Sequence, residues 1–116
     1  MLFDKDKNER STVRTQNWEK NADTLDDVFA SLGVLFNDHD EFVVLTLEDS
    51  KIKHGIQYIQ SAWAGNELTL QAGVIENGKI RLMETIISPF DCEKIYEKFF
   101  ETSEVDNIKD FTEVKF

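Results

Sequence analysis

The sequence predicts an α+β fold: a two-layer sandwich in which two helices cover one face of a four-to-six-stranded, mainly antiparallel sheet. Three observations predict it. Thr24–Leu32 and Ser88–Phe100 carry apolar residues at helical spacing behind clear start signals. Four segments between them are short and rich in β-branched and aromatic residues. Two of the links between those segments are Gly65-Asn66 and Asn77-Gly78, tight turns that make neighbouring strands antiparallel.

Taken in order, Thr12–Gln16 reads as a short edge strand, with Val13 and Thr15 alternating against Arg14. Asp23 or Thr24 then caps the first helix, and Asp26 and Asp27 suit the positive end of its dipole. Leu25, Val28, Phe29 and Leu32 share one face, and Gly33 is expected to end the helix. Phe42–Leu47, Ile56–Trp63, Leu68–Val74 and Ile80–Thr85 follow as strands of a meander. In the second of these, alternation puts Gln57, Ile59, Ser61 and Trp63 on one face and Tyr58 and Gln60 on the other. One glutamine should therefore point at the core and need a partner there.

The last hairpin of the meander admits two registers. A two-residue Asn77-Gly78 loop would pair Leu70, Ala72 and Val74 with the face of Arg81, Met83 and Thr85. A three-residue loop, Glu76-Asn77-Gly78, would pair them with Ile80 and Leu82. The second buries more apolar surface and is the expected one. The second helix starts at Ser88 with Pro89 in its first position, Asp91 closing a capping pattern and Ile87 packing on Cys92. Cys92, Ile95, Tyr96 and Phe99 form its buried stripe, widened by Phe100. Phe111–Phe116 closes the chain as a strand with Val114 and Phe116 inward.

The chain has 116 residues, which fits one domain over residues 11–116 behind a flexible segment at 1–10. Nothing in the first twenty residues is apolar enough for a signal peptide, and no run suits a membrane helix. The lone Cys92 forms no internal disulfide and reads as a buried helix residue. A cytoplasmic setting is expected.

The formal net charge is −10, which argues against binding nucleic acid or an anionic membrane and permits a basic protein partner. That charge is local. The first twenty residues are net +1 and residues 51–116 are net −3. Residues 21–50 hold Asp23, Asp26, Asp27, Asp38, Asp40, Glu41, Glu48 and Asp49 with no Lys or Arg. A solvated surface would account for such a block, and so would a docking surface that steers a basic partner. Asn37–Glu41 alternates oxygen donors as a calcium loop does, but lacks the glycine and distant glutamate of that motif. His39 and His54 are too few for zinc. No nucleophile elbow, phosphate loop, dinucleotide fingerprint or paired-histidine metalloprotease motif is present. No cofactor, no metal and no catalysis are expected. Tyr58 and Trp63 are the candidate apolar anchors of a protein interface.

The order of segments resembles that of small bacterial immunity proteins of polymorphic toxin systems. The resemblance rests on the helix Thr24–Leu32, then Glu41-Phe42-Val43-Val44-Leu45, then Tyr58-Ile59-Gln60-Ser61-Ala62. Leu68-Thr69-Leu70-Gln71-Ala72, the helix Ser88–Phe100 and a last segment with Phe111 complete it. The chain departs from the pattern at Gln71 and Ala72, where an acidic and an aromatic residue are usual. The resemblance implies a non-catalytic binder that neutralises a toxin domain. A nuclease-type toxin, basic because it binds phosphates, would suit the acidic surface. Asp23, Asp26, Asp27, Asp38, Asp40 and Glu41 would steer it, and Tyr58 or Trp63 would anchor it. The alternative is an adaptor or secretion-chaperone-like module that binds protein segments on its open sheet face, as a monomer or a homodimer.

Overall fold

The computed structural model describes residues 9–115; the expected flexible start of the chain lies almost wholly outside them, as does Phe116. Seven strands form one open antiparallel sheet in the order β2-β1-β3-β4-β5-β6-β7. The strands are β1 (Thr12–Arg14), β2 (Glu19–Asn21), β3 (Phe42–Thr46), β4 (Ile56–Ala64), β5 (Glu67–Glu76), β6 (Lys79–Ile87) and β7 (Thr112–Glu113). The helices are α1 (Leu25–Asn37) and α2 (Pro89–Thr102). The fold is thus α+β with a meander, as predicted, but with seven strands. The extra one is β2. It displaces Thr12–Arg14 from the edge, so that β1 pairs with β2 on one side and β3 on the other.

The helix starts follow their local signals. Thr24 caps α1 in a complete capping box with Asp27, and Ser88 caps α2 by accepting from the Asp91 amide at 3.1 Å. Gly33 does not end α1. The helix runs a further turn to Asn37 because Leu35 continues the stripe of Val28 and Leu32 into the core, where all three are fully buried. α2 ends at Ser103, which takes the left-handed conformation (φ 67°) and donates its hydroxyl to the Lys51 carbonyl.

Both helices lie on the same side of the sheet. The Tyr96 hydroxyl of α2 reaches Ser61 Oγ of β4 at 2.9 Å, and Trp63 Nε1, on the same face of β4, donates to the Leu35 carbonyl of α1 at 2.8 Å. Between the layers lie Val13, Val43, Leu45, Ile59, Leu68 and Leu70 from the sheet, facing Val28, Leu32, Leu35, Tyr96 and Phe99 from the helices. No buried side-chain nitrogen or oxygen among the described residues lacks a hydrogen-bond partner.

Two details of register differ from expectation. β4 carries an irregularity between Ile56 and Tyr58: Ile56 pairs with Val74 and Tyr58 with Gly73. The extra residue resets the alternation, so Ile56 and Ile59 are both buried and Gln60 stays on the far face. The β5–β6 hairpin uses the two-residue loop. Glu76 pairs with Lys79, which places Leu70, Ala72 and Val74 opposite Thr85, Met83 and Arg81. Asn77 (φ 53°) and Gly78 (φ 77°) both adopt left-handed conformations, the requirement of a type I′ turn whose twist matches the strands. Turn chemistry outweighs apolar burial here, and Ile80 is left 48% exposed opposite Ile75.

The Tyr96–Ser61 bond joins the two layers at the centre. Tyr96→Phe should lower stability by about 1 kcal/mol, by removing the phenol's buried hydrogen bond to the Ser61 hydroxyl, with the denaturant slope unchanged. Beside it, burial pushes the Cys92 thiol up to about 12, with the Ser61 hydroxyl acting weakly the other way. A thiol whose folded pKa is raised contributes fully below its unfolded value and is lost as pH climbs toward the folded one. Stability should therefore fall between about pH 9 and pH 12, and Cys92→Ala should flatten that decline in urea melts. The native thiol should react with a disulfide reagent at pH 8 only at the rate of unfolding.

Candidate functional site

With both helices on one side, no helix among the described residues covers the far face of the sheet. Its central row runs across six strands: Arg14, Val44, Gln60, Gln71, Glu84 and Thr112 are successive register partners. Three of them form a hydrogen-bonded ladder. Gln60 Nε2 donates to Gln71 Oε1 at 2.5 Å, and Gln71 Nε2 donates to Glu84 Oε1 at 2.7 Å. The direction is fixed by chemistry. A carboxylate only accepts, so Gln71 must turn its NH2 to Glu84 and its oxygen to Gln60. The ladder ends in an amide oxygen at Gln60 and a carboxylate at Glu84.

A depression of about 300 Å³ lies beside the ladder, lined by Arg14, Phe42, Val44, Gln60, Ala62 and Thr69 among others. Small Ala62 forms part of its wall, and the Arg14 guanidinium sits 5.7 Å from the centre of the Phe42 ring. In the next row Tyr58 lies over Gly73. A β-carbon at residue 73 would collide with the Tyr58 ring, so the glycine makes room for the aromatic. Burial there pushes the Tyr58 phenol above its ordinary value.

The acidic block does not form one surface. α1 has 13 residues and so separates its two ends by about 20 Å. At its N-terminal end three carboxylates have ion-pair partners. Asp23 meets Arg10 at 3.4 Å, Asp27 meets Lys20 at 3.7 Å, and Glu48 meets Lys51 at 3.3 Å. Amide donors from the capping box, above all Thr24, hold the Asp27 carboxyl below its usual range. The Ser50 hydroxyl, with Lys51, does the same for Glu48. Asp26 shares this end, in the first turn of α1.

At the other end, Asp38 and Asp40 flank His39, whose ring stacks on Trp63 at 4.2 Å and 12°. All three loop residues are exposed. Asp38 Oδ1 accepts from the Asp40 amide at 2.9 Å, which shapes the loop. Neither Asp38 nor Asp40 makes an ion pair among the described residues. Glu41 is different. It is 3% exposed, and its carboxylate accepts from the Gln16 amide at 2.6 Å and the Phe42 amide at 3.1 Å. Its charge serves the fold, tying the β1–β2 connection to the start of β3.

The structure thus brings Asp38, Asp40 and Trp63 together and leaves Asp23, Asp26 and Asp27 a helix length away. Tyr58 and Trp63 occupy opposite faces of β4, so one flat partner surface cannot use both as anchors. Among the described residues no three His, Cys, Asp or Glu side chains gather as a metal site would need. No helix among them is long and apolar enough to cross a membrane. The ladder residues were missed because only the true register aligns Gln60, Gln71 and Glu84. No protein-family model matches the sequence, and comparison with curated proteins and with solved structures returns no match.

The contact of Tyr58 with Gly73 generates a test of the face. Gly73→Ala should destabilise the protein by about 1–3 kcal/mol through overpacking. Tyr58→Ala should recover most of that cost in the double mutant, so a double-mutant cycle from urea melts should show strong non-additivity.

Proposed function

We propose that this chain is a non-catalytic inhibitor of the immunity type, which binds a basic toxin domain, of the nuclease class, and covers its active surface. The observation that carries the reading is the loop at the C-terminal end of α1. There two exposed carboxylates without ion-pair partners among the described residues flank a stacked His39–Trp63 pair. Unpaired surface charge raises the rate of encounter with an oppositely charged protein. A large aromatic fixed at its indole nitrogen gives contact area with little entropy to lose. The paired carboxylates Asp23 and Asp27 contribute to the long-range field, and the acidic N-terminal half of α1 extends it through Asp26. Glu41, committed to backbone amides, takes no part in contact. The buried thiol of Cys92, held protonated, offers no nucleophile, which agrees with inhibition by occlusion.

A second reading, an adaptor that pairs through its sheet face, is favoured by one observation. Ile75 and Ile80, register partners on the far face, are 37% and 48% exposed. Salt separates the two readings. Binding to a basic nuclease toxin domain encoded beside this chain should weaken at least about tenfold between 50 and 300 mM salt under the first reading. Asp38→Lys with Asp40→Lys should slow association by a similar factor while leaving the melting profile nearly unchanged. Salt-insensitive self-association weakened by Ile80→Lys would support the adaptor instead.

A further inference from the structure

β6 is longer than the strand that covers it. It spans Lys79–Ile87, yet β7 pairs with it only at Met83 and Glu84. The Val114 amide also donates to the Leu82 carbonyl. That bond fixes the parity of the edge: residues in step with Leu82, including Glu84 and Ile86, turn their N–H and C=O outward. At Ile86 no backbone partner meets them among the described residues. The chain that would have extended β7 to this point instead forms a one-turn 3₁₀ helix at Ile108–Asp110.

The surroundings of this bare edge are built like a groove. Ile86 and Phe90 are 58% and 66% exposed, more than any other large apolar side chain described. On the helix side a depression of about 500 Å³ runs between β6, α2 and the 106–111 segment, with Ile87, Ile95 and Phe111 in its lining. On the far side a second, of about 400 Å³, lies beside Glu84 and Ile86. The helix-side groove is acidic. Asp91, Asp106 and Asp110 line it against one cation, Lys94, whose ammonium sits 4.2 Å over the Phe90 ring. Asp106 is paired with Lys98 at 2.6 Å, whereas Asp91 and Asp110 have no ion pair among the described residues.

We propose that the Thr85–Ile87 edge of β6 is a strand-addition site for an extended basic segment of a partner protein. The added backbone pairs with the N–H and C=O of Ile86. Alternate side chains then fall on opposite faces. Lysine or arginine on the helix side lays its stem along Ile95 and Phe111 and brings its charge to Asp91 and Asp110. Apolar side chains on the far side cover Ile86. Charge decides the occupant. A second copy paired through the same edge would set the two acidic grooves against each other. This surface shares no residue with the Trp63 loop, so the proposal does not rest on the inhibitor reading.

The probe is a capped hexapeptide of alternating lysine and valine, titrated into the full chain with amide resonances followed by NMR. Shifts should centre on Ile86 and Phe111. Methylating the peptide's ladder-forming amides should weaken binding roughly tenfold. Ile86→Pro should abolish it, because residue 86 turns its N–H away from β5 and a proline there leaves that pairing intact. Asp110→Lys should weaken binding and flatten its salt dependence, and serves if the proline variant does not fold. The proposal is overturned if the peptide does not bind, or if the methylated peptide binds as well. Sedimentation as a dimer that Ile86→Pro dissociates would assign the edge to a second copy and overturn the basic occupant.

Discussion

The hydrogen bond between Tyr96 and Ser61 sets the geometry of this molecule. A phenol that is wholly buried must find a partner, and the serine of the sheet's middle strand supplies one. Once Ser61 faces α2, the parity of β4 is decided. Ile59 and Trp63 turn inward with it, so Trp63 comes under α1 and its indole N–H meets the Leu35 carbonyl. Tyr58 and Gln60 turn outward by the same count. Keeping Ile56 in the core as well then requires the extra residue between Ile56 and Tyr58. The parity that Ser61 shares with Ile59 and Trp63 thus sets which residues the opposite face displays.

That opposite face is polar without being loosely charged. The ladder from Gln60 through Gln71 to Glu84 satisfies its members across three strands, and Tyr58 covers the gap above Gly73. A row of mutually bonded amides on an uncovered sheet holds its side chains in one arrangement. The helix side distributes charge differently. Near the start of α1, Asp23, Asp27 and Glu48 are matched by Arg10, Lys20 and Lys51, while Asp38 and Asp40 past its end make no ion pair among the described residues and lie beside an aromatic stack. The contrast between a paired and an unpaired end gives the surface a polarity that net charge alone does not describe.

What could be read from the sequence was whatever depends on neighbours in the chain. The starts of both helices follow from Thr24 and from Ser88-Pro89, whose effects are local. The four meander strands follow from their composition. What escaped depends on partners far along the chain. Gly33 looks like a terminator until the core claims Leu35 one turn later. The hairpin register turns on weighing Ile80 and Leu82 against an Asn-Gly turn, and the turn wins. β2, Glu19-Lys20-Asn21, has no apolar pattern at all and exists because β1 offers it an edge. The acidic block is continuous along the chain, yet a helix carries Asp23, Asp26 and Asp27 away from Asp38 and Asp40, and folding buries Glu41.

The two margins of the sheet are unequal. At one, β2 is three residues long and wholly exposed, and Lys20 lies over the Trp18 ring and near the Asp27 carboxylate. Short, charged margins of this kind resist further pairing. At the other, β7 screens only the middle of a nine-residue strand. A sheet that can grow from one side alone is a chain terminator as well as an acceptor. A partner segment added there would complete a finite complex, because among the described residues the opposite margin is the short, charged, wholly exposed β2.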